Sequence, residues 1–192
     1  IKYGEASAVL AGSSLLTLSF EIIADKKYKL NAKIKNEVIK SLAKCSGHTG
    51  IAGGQELDLK FENKNKKISQ IIDMQKKKTG KLFNFCLYAV GVIANKSNKE
   101  KKFLSNLGEE IGLLFQLADD FLDIKSSKKF AGKPVKKDNK KGKSTLLNLM
   151  GEKKAYLYAL NLKKKILLKL KKHGKKGMNL TNTIEFILER NF

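Results

Sequence analysis

The chain has 192 residues, 42% of them hydrophobic, which excludes a disordered polymer and leaves room for a core of domain size. Its net charge is +22, yet Arg190 is the only arginine among 40 basic residues and the lysines run along the whole chain; such a spread reads as solvated surface, because nucleic-acid recognition relies on arginine's planar fork. Two cysteines, Cys45 and Cys86, without a Cys-x-x-Cys spacing exclude a disulfide framework and read as free thiols of a reducing compartment.

The chain starts at Ile1 without an initiator Met and passes at once into an apolar pattern, so the expectation is of a polypeptide whose N-terminal part is missing. Apolar residues then recur at helical spacing almost throughout, no stretch alternates with period two, and Pro134 is the single proline. The predicted fold is all-α, in one domain over residues 1–192. Ala6–Ala24 forms a first helix and Ala32–Ser46 a second, with Ile34, Val38, Ile39 and Leu42 on one stripe. His48–Leu59 starts Gly-rich, with His48 serving the turn at Ser46-Gly47, and a charged loop follows over Glu62–Lys67. Ile68–Ala94 reads as one long helix, kinked near Thr79-Gly80, whose Phe83, Phe85 and Tyr88 face a core. Ser97 and Glu100 have capping-box spacing, and the helix they open runs from Asn98 to Ile124. Lys125–Lys141 is a basic loop. Helix resumes at Ser144-Thr145, breaks near Gly151, continues to about Lys172, turns at Gly174 and Gly177, and ends with a short helix over Thr181–Glu189. The uninterrupted greasy stretches, such as Leu82–Ala94, are too short to cross a bilayer, so no transmembrane segment is expected. The stripe Leu167, Leu168 and Leu170 with its flanking lysines reads as a core-facing helix with a solvated basic side.

One stretch breaks the pattern. Phe115-Gln116-Leu117-Ala118-Asp119-Asp120-Phe121-Leu122-Asp123 puts three carboxylates at the end of a strongly apolar helix. At 3.6 residues per turn, Asp119 and Asp123 lie roughly 40° apart and Asp120 and Asp123 roughly 60° apart, so the three share a side. Mutual repulsion and burial beside Leu113, Leu114, Leu117, Phe121 and Leu122 call for a positive counterpart. A hard divalent ion is one; Mg²⁺ in particular binds through one or two carboxylates together with substrate phosphates. An acidic helix end paired with neighbouring lysines is the other. If a diphosphate is involved, lysines in loop or helix-end contexts should gather around it, and Lys78, Lys133 and Lys143 are so placed. Gly142-Lys143-Ser144 is not a P-loop, because Lys137 stands where that motif needs glycine and no strand precedes it.

Taken in order, Tyr3-Gly4-Glu5-Ala6 to Leu15-Leu16-Thr17, Gly54-Gln55-Glu56-Leu57-Asp58, Lys78-Thr79-Gly80, Phe115-Gln116 with Asp119, Asp120 and Asp123, Gly132-Lys133 to Gly142-Lys143, and Arg190-Asn191 form a distinctive series. The series resembles the trans-prenyltransferase family of polyprenyl diphosphate synthases, nearest to the bacterial farnesyl and geranylgeranyl type. The resemblance implies helices around a deep central cavity, an isoprenoid-synthase-like bundle missing its N-terminal helices, in a cytoplasmic homodimer. It also implies a Mg²⁺-dependent reaction of isopentenyl diphosphate with an allylic diphosphate. In that reaction Asp119, Asp120 and Asp123 would hold Mg²⁺, directly or through water. Lys78, Lys133 and Lys143 would contact the leaving diphosphate, Thr79 and Gln116 would place oxygen dipoles near the allylic cation, and Gln55 and Asp58 would line the cavity. Two departures stand out: the family's first aspartate-rich motif is not in this sequence, so the polypeptide by itself is expected to be inactive, and Ser13 stands where the family usually has Asp. Product length is not legible here. The alternatives are a regulatory subunit that keeps the fold without catalysis and, further off, a basic helical nucleic-acid binder.

Overall fold

The computed structural model describes residues 2–131 and 145–189, with side chains over 2–124 and 145–189. Among these residues every regular element is helical. The order is α1 (Glu5–Ala24), α2 (Ala32–Ser46), α3 (Ile51–Phe61), α4 (Ile68–Gln75), a π turn (Lys76–Gly80), α5 (Lys81–Ile93), α6 (Asn98–Ala131), α7 (Leu146–Met150), α8 (Glu152–Lys171) and α9 (Met178–Glu189). Short 3₁₀ turns over Lys26–Tyr28 and Gly174–Gly177 complete the chain.

The helix starts follow from side-chain chemistry. Asn31 accepts the backbone N–H of Ile34 at 2.9 Å and caps α2, and Thr145 accepts that of Asn148 at 3.1 Å and caps α7. At α6 the capping box forms as expected: the Ser97 hydroxyl accepts the Glu100 N–H at 3.3 Å, while the Glu100 carboxylate accepts the Ser97 N–H at 3.0 Å. Fixing both ends of the Ser97–Glu100 corner sets α5 and α6 side by side.

The 34-residue α6 is the axis of the molecule. Leu107, Ile111, Leu113, Leu114, Leu117, Ala118 and Phe121 are all buried, and they point in more than one direction around it. Ile71 and Met74 of α4, Leu146 and Leu147 of α7, Ala155, Ala159, Leu162, Ile166 and Leu170 of α8, and Ile184, Ile187 and Leu188 of α9 close over them in one core. Each fully buried leucine or isoleucine contributes on the order of 2 kcal/mol. A smaller cluster of Val38, Ala89 and Val92 joins α2 to α5. Glu110 of α6 is bracketed by Lys165 at 3.1 Å and Lys169 at 2.6 Å from α8. Burial works against ionisation of Glu110, but the hydrogen bonds from the two lysines outweigh it and hold its carboxyl below the usual carboxylate range.

The structure refines the sequence reading in five places. Ile68–Ala94 is not one kinked helix but two helices joined by a five-residue π turn. The Gly-rich run after His48 is already helical from Ile51. Helix α6 continues to Ala131, past Ile124, into what was expected to be loop. Finally, α1 has 20 residues with a mean hydropathy of 1.6, so by length and composition it is apolar enough to cross a membrane, and its side chains are not buried in the fold. Counting only uninterrupted greasy residues overlooks it, because between Ser7 and Ser19 its apolar residues are broken up by hydroxyls and Gly12. The hydroxyls of Ser13, Thr17 and Ser19 each donate to the carbonyl four residues back, at 3.2, 3.0 and 2.9 Å, and so need no water. One such helix near the chain start is weak grounds for a membrane assignment. The stripe Leu167, Leu168 and Leu170 also divides, with Leu170 in the core and Leu168 exposed.

The π turn is wedged between α3 and α6, and two glycines permit it. A Cβ on Gly54 would collide with the backbone of Lys78, and one on Gly112 would lie 2.6 Å from the Cα of Gly80. Substituting Gly54→Ala should therefore cost about 1–3 kcal/mol of stability, the usual range for forced overpacking. A lowered urea midpoint, with the far-ultraviolet helix signal retained at zero denaturant, is the expected measurement.

Candidate active site

A π turn holds i→i+5 rather than i→i+4 bonds, so it inserts one residue and re-aims the side chains on it. Here it follows Gln75 and carries Lys78 and Thr79. Lys78 reaches back to α3, where its ammonium lies 2.5 Å from the carboxylate of Asp58. Thr79 turns the other way and donates its hydroxyl to Oε1 of Gln116 on α6, at 2.8 Å. The amide of Gln116 then donates from Nε2 to Oδ1 of Asp120, one helical turn on, at 3.0 Å. The other carboxylate oxygen of Asp120, Oδ2, accepts from Nε2 of Gln75 at 3.3 Å. A polar line thus runs from Thr79 through Gln116 and Asp120 to Gln75, beside the Lys78–Asp58 pair.

The three aspartates are not equivalent. Asp120 and Asp119 are partly buried, while Asp123 is exposed. Burial pushes the Asp120 carboxyl up to about 6; the nearby charges of Asp123 and Asp119 push the same way, against the hydrogen bonds from Gln116 and Gln75. The side chains therefore do not converge as helix geometry alone implied. Among the described residues no group of three His, Cys, Asp or Glu side chains is close enough to hold a metal ion by protein ligands alone. Asp120 turns toward α4, where an amide donor waits, and lies 100° around the helix from Asp119.

Of the residues singled out from the sequence, the structure pairs Lys78 with Asp58 and, separately, links Thr79, Gln116 and Asp120. Gln55 is exposed on α3 and takes no part in the line of hydrogen bonds. Lys133, Lys143 and the Arg190-Asn191 ending lie outside the described residues. Gln75 was missed, although it carried a signal: it falls four residues after Ile71 and one after Met74, both core positions, so an amide there sits where a hydrophobe is expected. A shallow concavity of about 420 Å³ on α8, lined by Asn161, Lys164, Lys165, Leu168, Lys169 and Lys172, lies apart from this site and contains no carboxylate.

An all-helical fold with an aspartate-bearing axial helix braced against a lysine–threonine π turn defines a class, and the comparisons agree on which. The polyprenyl synthetase family pattern matches residues 1–184, and the chain belongs to that family. It is 36% identical to farnesyl diphosphate synthase of Micrococcus luteus over 150 residues, 78% of this chain and 51% of that protein. It is 32% identical to farnesyl diphosphate synthase of Escherichia coli over an alignment covering 100% of this chain and 66% of the other. Among solved structures, an FPP/GFPP synthase from Zymomonas mobilis superposes with a TM-score of 0.81 at 32% identity, over 97% of this chain and 62% of that one. The geranyltransferase of Helicobacter pylori, complexed with magnesium and isoprenyl diphosphate, gives 0.79 at 32% identity, over 98% and 61%. The chain spans about half the length of several curated relatives it matches.

The raised Asp120 carboxyl has a consequence for stability. Its folded value, about 6, exceeds the ordinary 3.8, so between these values the folded chain binds the proton more tightly than the unfolded one. The stabilising contribution is complete below about pH 4 and is lost as pH rises through 6. Replacing Asp120 with Asn should therefore stabilise the chain in chelator at pH 7.5, by on the order of 2 kcal/mol, with the gain vanishing near pH 4. Urea unfolding of both proteins at the two pH values measures it.

Proposed function

We propose that this chain forms the diphosphate-ionising wall of a short-chain prenyl diphosphate synthase, as the C-terminal part of a single catalytic domain. The reaction joins isopentenyl diphosphate to an allylic diphosphate, in the farnesyl or geranylgeranyl range. The observation that carries this reading is the line Thr79–Gln116–Asp120–Gln75 on a π turn, in a chain of the polyprenyl synthetase family.

Mg²⁺ fits the donor set. The donors are hard carboxylate oxygens, and Asp120 holds a charge that burial disfavours and a cation would relieve. The lack of a three-carboxylate cage among the described residues is also what Mg²⁺ needs, since it keeps waters and shares its shell with substrate phosphates. Asp119, Asp120 and Asp123 would hold it, in part through water. When bound, it neutralises negative charge that grows on the departing diphosphate. The Helicobacter pylori relative, with magnesium and isoprenyl diphosphate in its structure, supports the assignment.

The protein's own groups then divide the remaining work. Asp58 fixes the ammonium of Lys78 at 2.5 Å and so limits where it can reach; from there Lys78 binds a diphosphate oxygen as a point charge. Lys133 and Lys143 are proposed to contact the same diphosphate. Gln116 directs its amide N–H to Asp120 and its carbonyl to Thr79, and this fixed pair sets oxygen dipoles beside the allylic carbon as positive charge develops there. Gln55 and Asp58 face the substrate cavity from α3. The apolar walls of the cavity are proposed to exclude water that would otherwise quench the cation.

Assembly as a homodimer is part of the proposal. From Ala6 to Phe20, α1 has no charged residue, and Val9, Leu10, Leu15, Leu16 and Leu18 are exposed. A two-fold partner covers such a face with its own copy of it. The Ser13 hydroxyl, where the family usually has a carboxylate, is bonded within its own helix to the Val9 carbonyl. Free Cys45 and Cys86 fit a reducing, cytoplasmic location.

The test is isopentenyl diphosphate incorporation by the longest polypeptide that the gene encodes, with each of several allylic diphosphates. Turnover should require Mg²⁺, and Asp120→Ala should reduce it by about 100-fold or more, the scale of losing one transition-state stabilising group. Undiminished turnover in that variant refutes the assignment, whereas silence alone combined with activation of a partner synthase selects the regulatory subunit. Sedimentation should give twice the monomer mass, reduced to monomer by the paired change Leu15→Lys and Leu18→Lys.

A further inference from the structure

Only two polar side chains, Gln75 and Asn84, belong to the buried set among the described residues, and they are treated differently. Asn84 is fully used: its Nδ2 donates to Ser105 at 2.8 Å and Glu109 at 2.9 Å, and its Oδ1 faces the Cys45 thiol at 3.7 Å. Gln75 is 4% exposed, yet its Oε1 has no hydrogen-bond partner among the described residues. A buried carbonyl oxygen left this way costs about 1–3 kcal/mol. Rotating the amide by half a turn does not cure it, because Oε1 would then face the carboxylate oxygen of Asp120 that Nε2 now serves. The unpaired acceptor is a direct consequence of spending the donor on Asp120.

The geometry gives that expense a purpose. Gln116 and Gln75 take one oxygen each of the Asp120 carboxylate, from α6 and from the end of α4. Two donors on two separate helices fix the plane of the carboxylate, where one donor would let it swing. Each oxygen keeps a lone pair, and the orphan Oε1 belongs to the same amide that meets Oδ2, as an acceptor that wants an O–H. We propose that Gln75 is a positioning residue for Asp120, and that its Oε1 accepts a hydrogen bond from a water molecule in the shell of the cation that Asp120 holds. This rests on the reading of the aspartates as a Mg²⁺ site and extends it to a residue one step behind the ligands. Outer-shell partners of this kind set ligand direction and alter metal affinity by about 10- to 100-fold when removed.

The experiment measures metal binding without turnover. The 192-residue chain is titrated with Mn²⁺, which shares Mg²⁺'s preference for octahedral oxygen ligands, in the presence of inorganic pyrophosphate. The free ion is read by electron paramagnetic resonance. In Gln75→Met, which keeps length and bulk but removes donor and acceptor, affinity should drop about 10- to 100-fold. Its melting temperature in chelator at pH 4, where the Asp120 carboxyl is protonated and needs the Gln75 donor least, should match that of the wild type, because removing the orphan oxygen offsets the lost hydrogen bond. Gln75→His, whose neutral ring offers one donor and one acceptor, should recover most of the affinity. Wild-type affinity in Gln75→Met overturns the inference alone. So does a loss of binding matched by a lowered melting temperature in chelator at pH 4, which marks a purely structural role. If the wild-type chain takes up no Mn²⁺, the metal reading of the aspartates fails and this inference fails with it.

Discussion

The structure depends on holding one carboxylate, Asp120, at the edge of a leucine core. An ionised acid there loses hydration that a single hydrogen bond does not replace. Two amides from different helices supply part of the replacement, and under the proposed function a cation supplies the rest. The neighbouring features follow from that requirement. Gln116 can serve Asp120 because Thr79 occupies its carbonyl, and Thr79 faces Gln116 because the π turn re-aims it. The turn in turn fits between α3 and α6 because Gly54 and Gly112 have no side chains to block it.

Elsewhere the fold is conventional, and that contrast is informative. Glu110, the other well-buried acid of α6, is neutralised within the chain by Lys165 and Lys169, and burial does not leave its carboxyl raised. The same helix thus carries an acid satisfied by lysines and, about three turns later, an acid whose hydrogen-bond donors among the described residues are neutral amides. In a chain with a net charge of +22, lysines were available for both. Under the proposed function, the absence of a lysine partner at Asp120 among the described residues leaves its charge to a cation.

Much of this was legible in the sequence. The helical period, the Ser97–Glu100 corner and the breaks at Gly151 and Gly174 gave elements close to those observed, because caps and glycines act locally. That Asp58, Lys78, Thr79, Gln116 and Asp120 belong to one site was suggested only by a resemblance that joins segments far apart in the chain; the structure adds the Lys78–Asp58 pair and the Thr79–Gln116–Asp120 line. What stayed hidden was non-local. A π turn has no distinct residue preference of its own; Lys76–Gly80 differs from an α-helical turn only by how its neighbours fit around it. The unequal fates of Asp119, Asp120 and Asp123 depend on Gln75, 45 residues before its partner Asp120, and nothing in the spacing of the aspartates could reveal that. The apolar character of Ala6–Ala24 was legible, but not that it suffices in length and composition to cross a membrane, because hydroxyl side chains look polar in sequence until their bonds to the backbone are seen.

The extra residue in the Lys76–Gly80 turn has one more implication. Removing any single residue from that turn would restore ordinary helical winding from α4 into α5, leaving a more regular and arguably sturdier rod. The core stripe on one side of the deletion would then be rotated about 100° against the stripe on the other. A descendant of this chain could accept such a loss only by giving up either its hydrophobic alignment or its chemistry, so natural length variation should spare these five positions while tolerating it freely in the loops.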